Sequence, residues 1–185
     1  MKKLFYFFMV LMTVTFFITS CDNDDEPEVK KATLGAQDNT VYGGFYSVSE
    51  NKVYMMDAAA QNQAVIDILC FYEAEGGNNI AIASPGTGIS GIFSGSDAPE
   101  NWTTQNTTYF TKTTLTVAQF DALEETDDLI VTSFDAENAF RKAKDLKVDD
   151  IYSFKTQAEA YGLLKVTAVV QGADGTVTYE VKIKK

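Results

Sequence analysis

Residues 176–184 alternate without a break. Val177, Tyr179, Val181 and Ile183 are apolar, and Thr176, Thr178, Glu180, Lys182 and Lys184 are polar. Successive side chains of a strand point to opposite faces, so this pattern demands a strand with one buried and one wet face. A similar segment stands just before it. Leu164, Val166, Ala168 and Val170 alternate with Leu163, Lys165, Thr167 and Val169. Gly172-Ala173-Asp174-Gly175 lies between the two, and Asp-Gly suits the positive φ of a tight turn. The chain therefore ends in an antiparallel hairpin, and any fold for it must place a sheet against a core.

The remaining elements fit around that hairpin. Residues 64–72 are apolar on both faces except at Asp67, which predicts a central strand with Cys70 on the side of Ile66 and Ile68. Residues 42–48 and 52–56 predict a second hairpin around Ser49-Glu50-Asn51, and residues 79–83 a short strand stopped by Ser84-Pro85-Gly86. Helical signals are fewer. Asp57 is placed to cap a short turn through Ala58-Ala59-Ala60. Thr116-Val117-Ala118-Gln119 fits a capping box. Asp135 is placed to cap a third helix, with Ala136, Ala139, Phe140 and Ala143 at helical spacing and Arg141, Lys142 and Lys144 near its end. Strands outnumber helices, which predicts an α+β fold: a mainly antiparallel sheet with two or three short helices on one face. A β-sandwich is the alternative.

The first twenty residues differ in kind. Lys2 and Lys3 precede residues 4–18, an apolar run broken only by Thr13 and Thr15, and Thr19-Ser20-Cys21 follows. This order of basic, apolar and small residues is that of a secretory signal peptide. A spanning anchor would need about 20 apolar residues. Ile18-Thr19-Ser20-Cys21 resembles the lipobox of bacterial lipoproteins. The resemblance implies cleavage before Cys21 and diacylation of its sulfur, which together form a stable membrane anchor. Five acids then fall within Asp22-Asn23-Asp24-Asp25-Glu26-Pro27-Glu28. Such a run repels itself and reads as a solvated tether. It also resembles the surface-export signal of Bacteroidetes lipoproteins. Tyr161-Gly162-Leu163-Leu164-Lys165-Val166, the strand at 65–72 and Ser84-Pro85 are similar to small surface lipoproteins of that group with no assigned function. The expected organisation is a signal peptide at 1–20, a lipidated Cys and tether at 21–33, and one globular domain at 34–185. The expected location is the outer membrane, facing outward. An Asp directly after the lipidated Cys keeps a periplasmic-facing location as the alternative.

Charge and residue usage narrow the function. The chain has no His, which removes mechanisms that depend on imidazole. Loss of Lys2 and Lys3 with the leader takes 15 basic residues to 13 against 26 acids, a net charge of −13. That balance argues against nucleic acid as a partner. With Cys21 acylated, Cys70 is the sole free thiol and no intrachain disulfide is available. Cys70 lacks a His partner and lies in an apolar strand, so it reads as a small buried hydrophobe.

Three further features bear on chemistry. Gly86-Thr87-Gly88-Ile89-Ser90-Gly91 matches G-x-G-x-x-G, but Gly95 and Pro99 follow where a dinucleotide site needs a helix, so no cofactor is expected. The pairs Glu124-Glu125, Asp127-Asp128 and Asp149-Asp150 recommend carboxylate chemistry only if acids from different segments converge, and no metal site is expected from their spacing. Residues 101–116 hold eight Thr together with Trp102, Tyr109 and Phe110. Trp102 and Tyr109 are candidates to stack on sugar rings, with Asn101 and Gln105 as hydrogen-bonding neighbours. A Trp buried as a loop anchor is the competing reading. The expected function is a non-enzymatic, lipid-anchored binding or accessory module with a glycan or an outer-membrane protein as partner. A carboxylate-dependent hydrolase of cell-surface sugars and a structural subunit of an outer-membrane complex are the alternatives.

Overall fold

The structure is a computed structural model that describes residues 30–75, 77 and 79–185. The signal peptide, Cys21 and residues 22–28 lie outside the described residues. In chain order the strands are β1 (Lys30–Gly35), β2 (Phe45–Ser47), β3 (Lys52–Tyr54), β4 (Ile68–Glu73), β5 (Asn79–Ala83), β6 (Tyr109–Lys112), β7 (Lys142–Ala143), β8 (Ile151–Lys155), β9 (Tyr161–Val170) and β10 (Thr176–Ile183). The helices are α1 (Met56–Gln61), α2 (Val117–Ala122) and α3 (Leu129–Thr132). They form an α+β arrangement of two five-stranded antiparallel sheets with short helices. One sheet runs β1-β10-β9-β8-β6 and the other β3-β2-β4-β5-β7.

The C-terminal hairpin forms as the alternation requires. Val177, Tyr179 and Val181 are buried on one face of β10. The register on β9 jumps at Thr178/Tyr179, whose partners are Ala168 and Val166, so Thr167 is an extra residue. A bulge of this kind exchanges the faces beyond it. Leu164 and Val166 are buried inward, but past the bulge Val169 packs on the core while Val170 is 59% exposed. The expected inward placement of Ala168 and Val170 is corrected by this one residue. Gly162, second in β9, leaves room for the Phe154 ring: a Cβ there would lie 2.3 Å from Phe154 Cζ.

The two sheets stack through a shared core. Leu34, Phe154, Leu164, Val166, Val177 and Tyr179 of the first sheet meet Tyr46, Ile68, Cys70, Ile80 and Ile82 of the second. The stacking that a sandwich would need is thus present within the α+β fold. The outer faces are also covered. Phe45, Leu69, Phe71 and Ala81 lie under Ala59 of α1 and under Phe93, Ala98 and Trp102 of the 84–108 loop. Ile151 and Leu163 lie under Phe120 of α2 and Ile130 of α3. The outer face of β9, read from sequence as wet, is therefore largely covered.

Several local expectations are sharpened. β4 is the central strand of its sheet, as residues 64–72 predicted, but Ile66 belongs to the outer cluster and not to the side of Ile68 and Cys70. A 3-10 turn at Gln63–Val65 delays the strand and breaks the alternation there. Residues 30–33, assigned to the tether, already pair in β1, with Lys30 opposite Val181. The capping box is present: Thr116 Oγ1 accepts from Gln119 N, and Gln119 Oε1 accepts from Thr116 N. Asp57 lies inside α1, where its carboxylate accepts from Ala58 N, and Met55 holds the cap position.

The third helix does not form at Asp135. The Asp135 carboxylate accepts from Glu137 N and Asn138 N, which makes a local turn. Beyond it Phe140 exchanges two backbone hydrogen bonds with Phe110 at 2.8 and 3.0 Å. β7 then pairs with β5. Pairing with two sheet edges satisfies the backbone of this stretch and overrides its helical spacing. The segment bridges β6 of one sheet to β5 of the other, and it builds the candidate site.

Candidate functional site

Tyr109 and Phe110 are neighbours on edge strand β6, so their side chains diverge. Phe110 enters the inter-sheet core, and Tyr109 stays 37% exposed on the other face. There it borders an open cleft of about 520 Å³. Lys155, opposite Tyr109 in β8, forms part of the wall with Thr107, Phe134, Gln157 and Glu159. Phe134 is fixed edge-on against Tyr161, with centroids 5.8 Å apart. Gln157 Oε1 accepts from Thr107 N at 3.0 Å and from Thr107 Oγ1 at 3.2 Å. Lys155 pairs with Glu159 at 2.6 Å, and that hydrogen bond raises the Lys155 ammonium above its usual value. The cleft thus offers two aromatic rings among hydrogen-bonding side chains.

The four residues singled out for ligand contact do not share one surface. Trp102 is 6% exposed, packs at 5.4 Å from the Phe45 ring and donates its Nε1–H to Asp97 O at 2.8 Å. Its ring and its donor are both used inside the protein. Asn101 Nδ2 donates to Gly95 O and Gln105 Nε2 to Pro99 O, so these side chains brace the same loop. Tyr109 alone borders the open cleft described above. Phe134, Lys155, Gln157 and Arg141 were missed by sequence reasoning. Arg141 was visible only as a cation at the end of an expected helix. The guanidinium sits 5.7 Å from the Tyr109 ring centroid and donates to Gly86 O at 2.8 Å. Gly86 itself belongs to a 3-10 turn at Pro85–Thr87, with Gly88 in the left-handed region at φ 80° and no helix following.

Asp67, the lone acid of the apolar run, is buried at the base of a smaller pocket of about 210 Å³ beside Asn106. One oxygen accepts from Val48 N at 2.9 Å. Burial pushes its carboxyl up to about 6, against the opposing effect of that hydrogen bond. Cys70 is a buried free cysteine whose thiol is pushed far up by burial.

The acidic pairs are occupied with structure. Burial opposes ionisation of Glu125, yet hydrogen bonds from Lys185 and Lys30, both at 2.7 Å, hold its carboxyl below the usual range. Asp150 pairs with Lys112 at 2.6 Å, Asp128 with Lys184 at 3.2 Å, and Asp127 accepts from Glu124 N. Among the described residues no three His, Cys, Asp or Glu side chains converge to hold a metal. No described helix is long and apolar enough to cross a membrane.

No protein-family model matches the chain, and no curated protein matches it. Among solved structures it is similar to a DUF4466 family protein from Parabacteroides merdae. The TM-score is 0.56 at 17% identity, over 85% of this chain and 54% of that one. The chain thus spans about half the length of that protein. The likeness is one of fold.

Proposed function

We propose that the chain is a non-enzymatic binding module, tethered to the outer membrane through acylated Cys21 and facing outward, and that its ligand is a saccharide held at the Tyr109 cleft. The lipobox and the acidic run at 22–28 support the tether. The Parabacteroides neighbour is compatible with the Bacteroidetes resemblance. The single observation that carries the ligand reading is the half-exposed Tyr109 ring, set beside Phe134 and among Thr107, Lys155 and Gln157. Sugar rings present apolar C–H faces ringed by hydroxyls, and a cleft that joins aromatic faces to polar side chains complements both.

The hydrolase reading has one carboxylate to work with in this cleft. Glu159 is paired with Lys155, whereas glycoside hydrolysis by carboxylates uses two acids about 5 to 9 Å apart. The reading as an interaction subunit draws on Val41, Tyr42 and Met55, which are 77%, 47% and 42% exposed.

The test is a saccharide panel on the full chain in detergent. Binding that falls at least tenfold in Tyr109→Ala and stays within twofold in Trp102→Phe is the expected result. Binding indifferent to Tyr109→Ala overturns the assignment of this cleft, and release of reducing ends from a bound oligosaccharide overturns the non-enzymatic reading.

A further inference from the structure

The strip at 135–141 has two sides. Ala136 and Ala139 face the Tyr109 cleft, and Asp135, Asn138 and Phe140 border a second opening of about 800 Å³. This second cleft is apolar in its depth, where Phe110 and Tyr152 lie. Lys112, Arg141, Lys142 and Lys144 also line it. Four of the 13 basic side chains of the mature chain thus gather in one cleft of a protein with 26 acids. Two of the four are neutralised: Lys112 pairs with Asp150 at 2.6 Å and Lys142 with Glu73 at 2.8 Å. Arg141 and Lys144 are exposed and form no ion pair with a described residue. Arg141 spends one donor on Gly86 O, and a guanidinium has five. Asp135, the acid on this wall, is engaged by Glu137 N, Asn138 N and Asn138 Nδ2. Phe140 stands beside these cations 69% exposed, a large ring left in water.

We infer that the ligand is an acidic saccharide chain. One ring lies at Tyr109, and a neighbouring unit crosses the strip so that its carboxylate or sulfate meets Arg141 and Lys144 while its apolar face meets Phe140. This rests on the saccharide reading above and names its ligand class. Arg141 links the two sides, being next to the Tyr109 ring and part of the second cleft. Its planar fork matches the two oxygens of a carboxylate or sulfate. The net charge of −13 does not forbid this. At physiological salt the screening length is about 8 Å, so an anion in the cleft responds to the unpaired cations beside it more than to distant acids.

The experiment measures binding of the full chain in detergent to polygalacturonate, chondroitin sulfate, neutral dextran and single-stranded DNA at 50 and 300 mM NaCl. Either acidic polysaccharide, or both, should bind at least tenfold tighter than dextran and than DNA, and weaken at the higher salt. Polygalacturonate against chondroitin sulfate distinguishes carboxylate from sulfate. An Arg141→Gln/Lys144→Gln double variant should lose that tenfold preference, and Lys144→Gln alone should weaken it with dextran binding within twofold of the parent. Lys144→Glu alone, at an exposed position, repeats the test should the double variant melt early. Equal binding of dextran and the acidic chains, DNA bound as tightly as they are, or a preference untouched by these substitutions overturns the inference. If dextran binding persists and depends on Tyr109, the saccharide reading stands without it. If charge-dependent binding persists in Tyr109→Ala, the Tyr109 cleft assignment falls and the anion assignment remains. No binding to any polysaccharide overturns both.

Discussion

Asp67 is buried with one backbone hydrogen bond and, among the described residues, no ion-pair partner, and its carboxyl rises from about 3.8 to about 6. A folded value above the unfolded one means that the protonated form is favoured in the fold. The stability linked to this group is complete below about pH 4 and is lost as pH rises through 6. The difference amounts to about 3 kcal/mol at neutral pH. Asp67→Asn keeps an acceptor for Val48 N–H without the charge. It is expected to melt above the parent at pH 8 and level with it at pH 4. A variant less stable than the parent at pH 8 would contradict this. Trp102 makes the opposite kind of contribution. Trp102→Ala empties a site against Phe45 and orphans Asp97 O, with an expected loss of about 3 to 5 kcal/mol by denaturant unfolding. Sequence reasoning could see both residues as unusual, one acid in an apolar run and one Trp in a polar loop. It could not see that both are enclosed, because Trp102 is covered only once α1 and the 84–108 loop fold over Phe45, and Asp67 only once Val48 and Asn106 come beside it.

At the scale of elements, α2 and α3 are held by ion pairs as well as by packing. Lys165 reaches Asp121 at 2.5 Å and Glu180 at 2.7 Å, and Lys182 donates to the carbonyls of Asp121 and Leu123 at the end of α2. Glu125 clasps Lys30 of β1 and Lys185 of the C-terminus. The adjacent acids at 124–128 therefore fasten a layer to Lys30 of β1 and to Lys184 and Lys185 just beyond β10. Because the Glu125 carboxyl is lowered in the fold, its contribution is present above about pH 4.5 and lost as pH falls below that. Amide protection in α2 and α3, taken relative to the intrinsic exchange rate, is expected to fall below pH 4 and in 1 M salt, ahead of that in β9 and β10. Uniform exchange across these elements would contradict it. Gly162→Ala sets a Cβ into the Phe154 ring and is expected to destabilise the β8–β9 pair more than a surface substitution does. Elements whose side-chain period matched their pairing, such as β10, β5 and the capped α2, were legible in the sequence. The bulge at Thr167 and the strip at 135–141 were not. A single inserted residue leaves no periodic mark, and the strip's helical spacing lost to backbone pairing with Phe110 and β5.

For the whole molecule, two sheets share one core and each outer face carries its own cover, leaving open clefts where the 135–141 strip joins β6 to β5. The fold is shared with a longer DUF4466 family protein, and the proposed role rests on what lies in those clefts and on what precedes β1. The proposed membrane tether depends on Cys21. Mass spectrometry of the chain extracted from its native membrane tests it directly. The account expects a polypeptide that begins at Cys21 and carries thioether-linked acyl chains. A chain that retains Met1, or begins elsewhere with an unmodified Cys21, would contradict it.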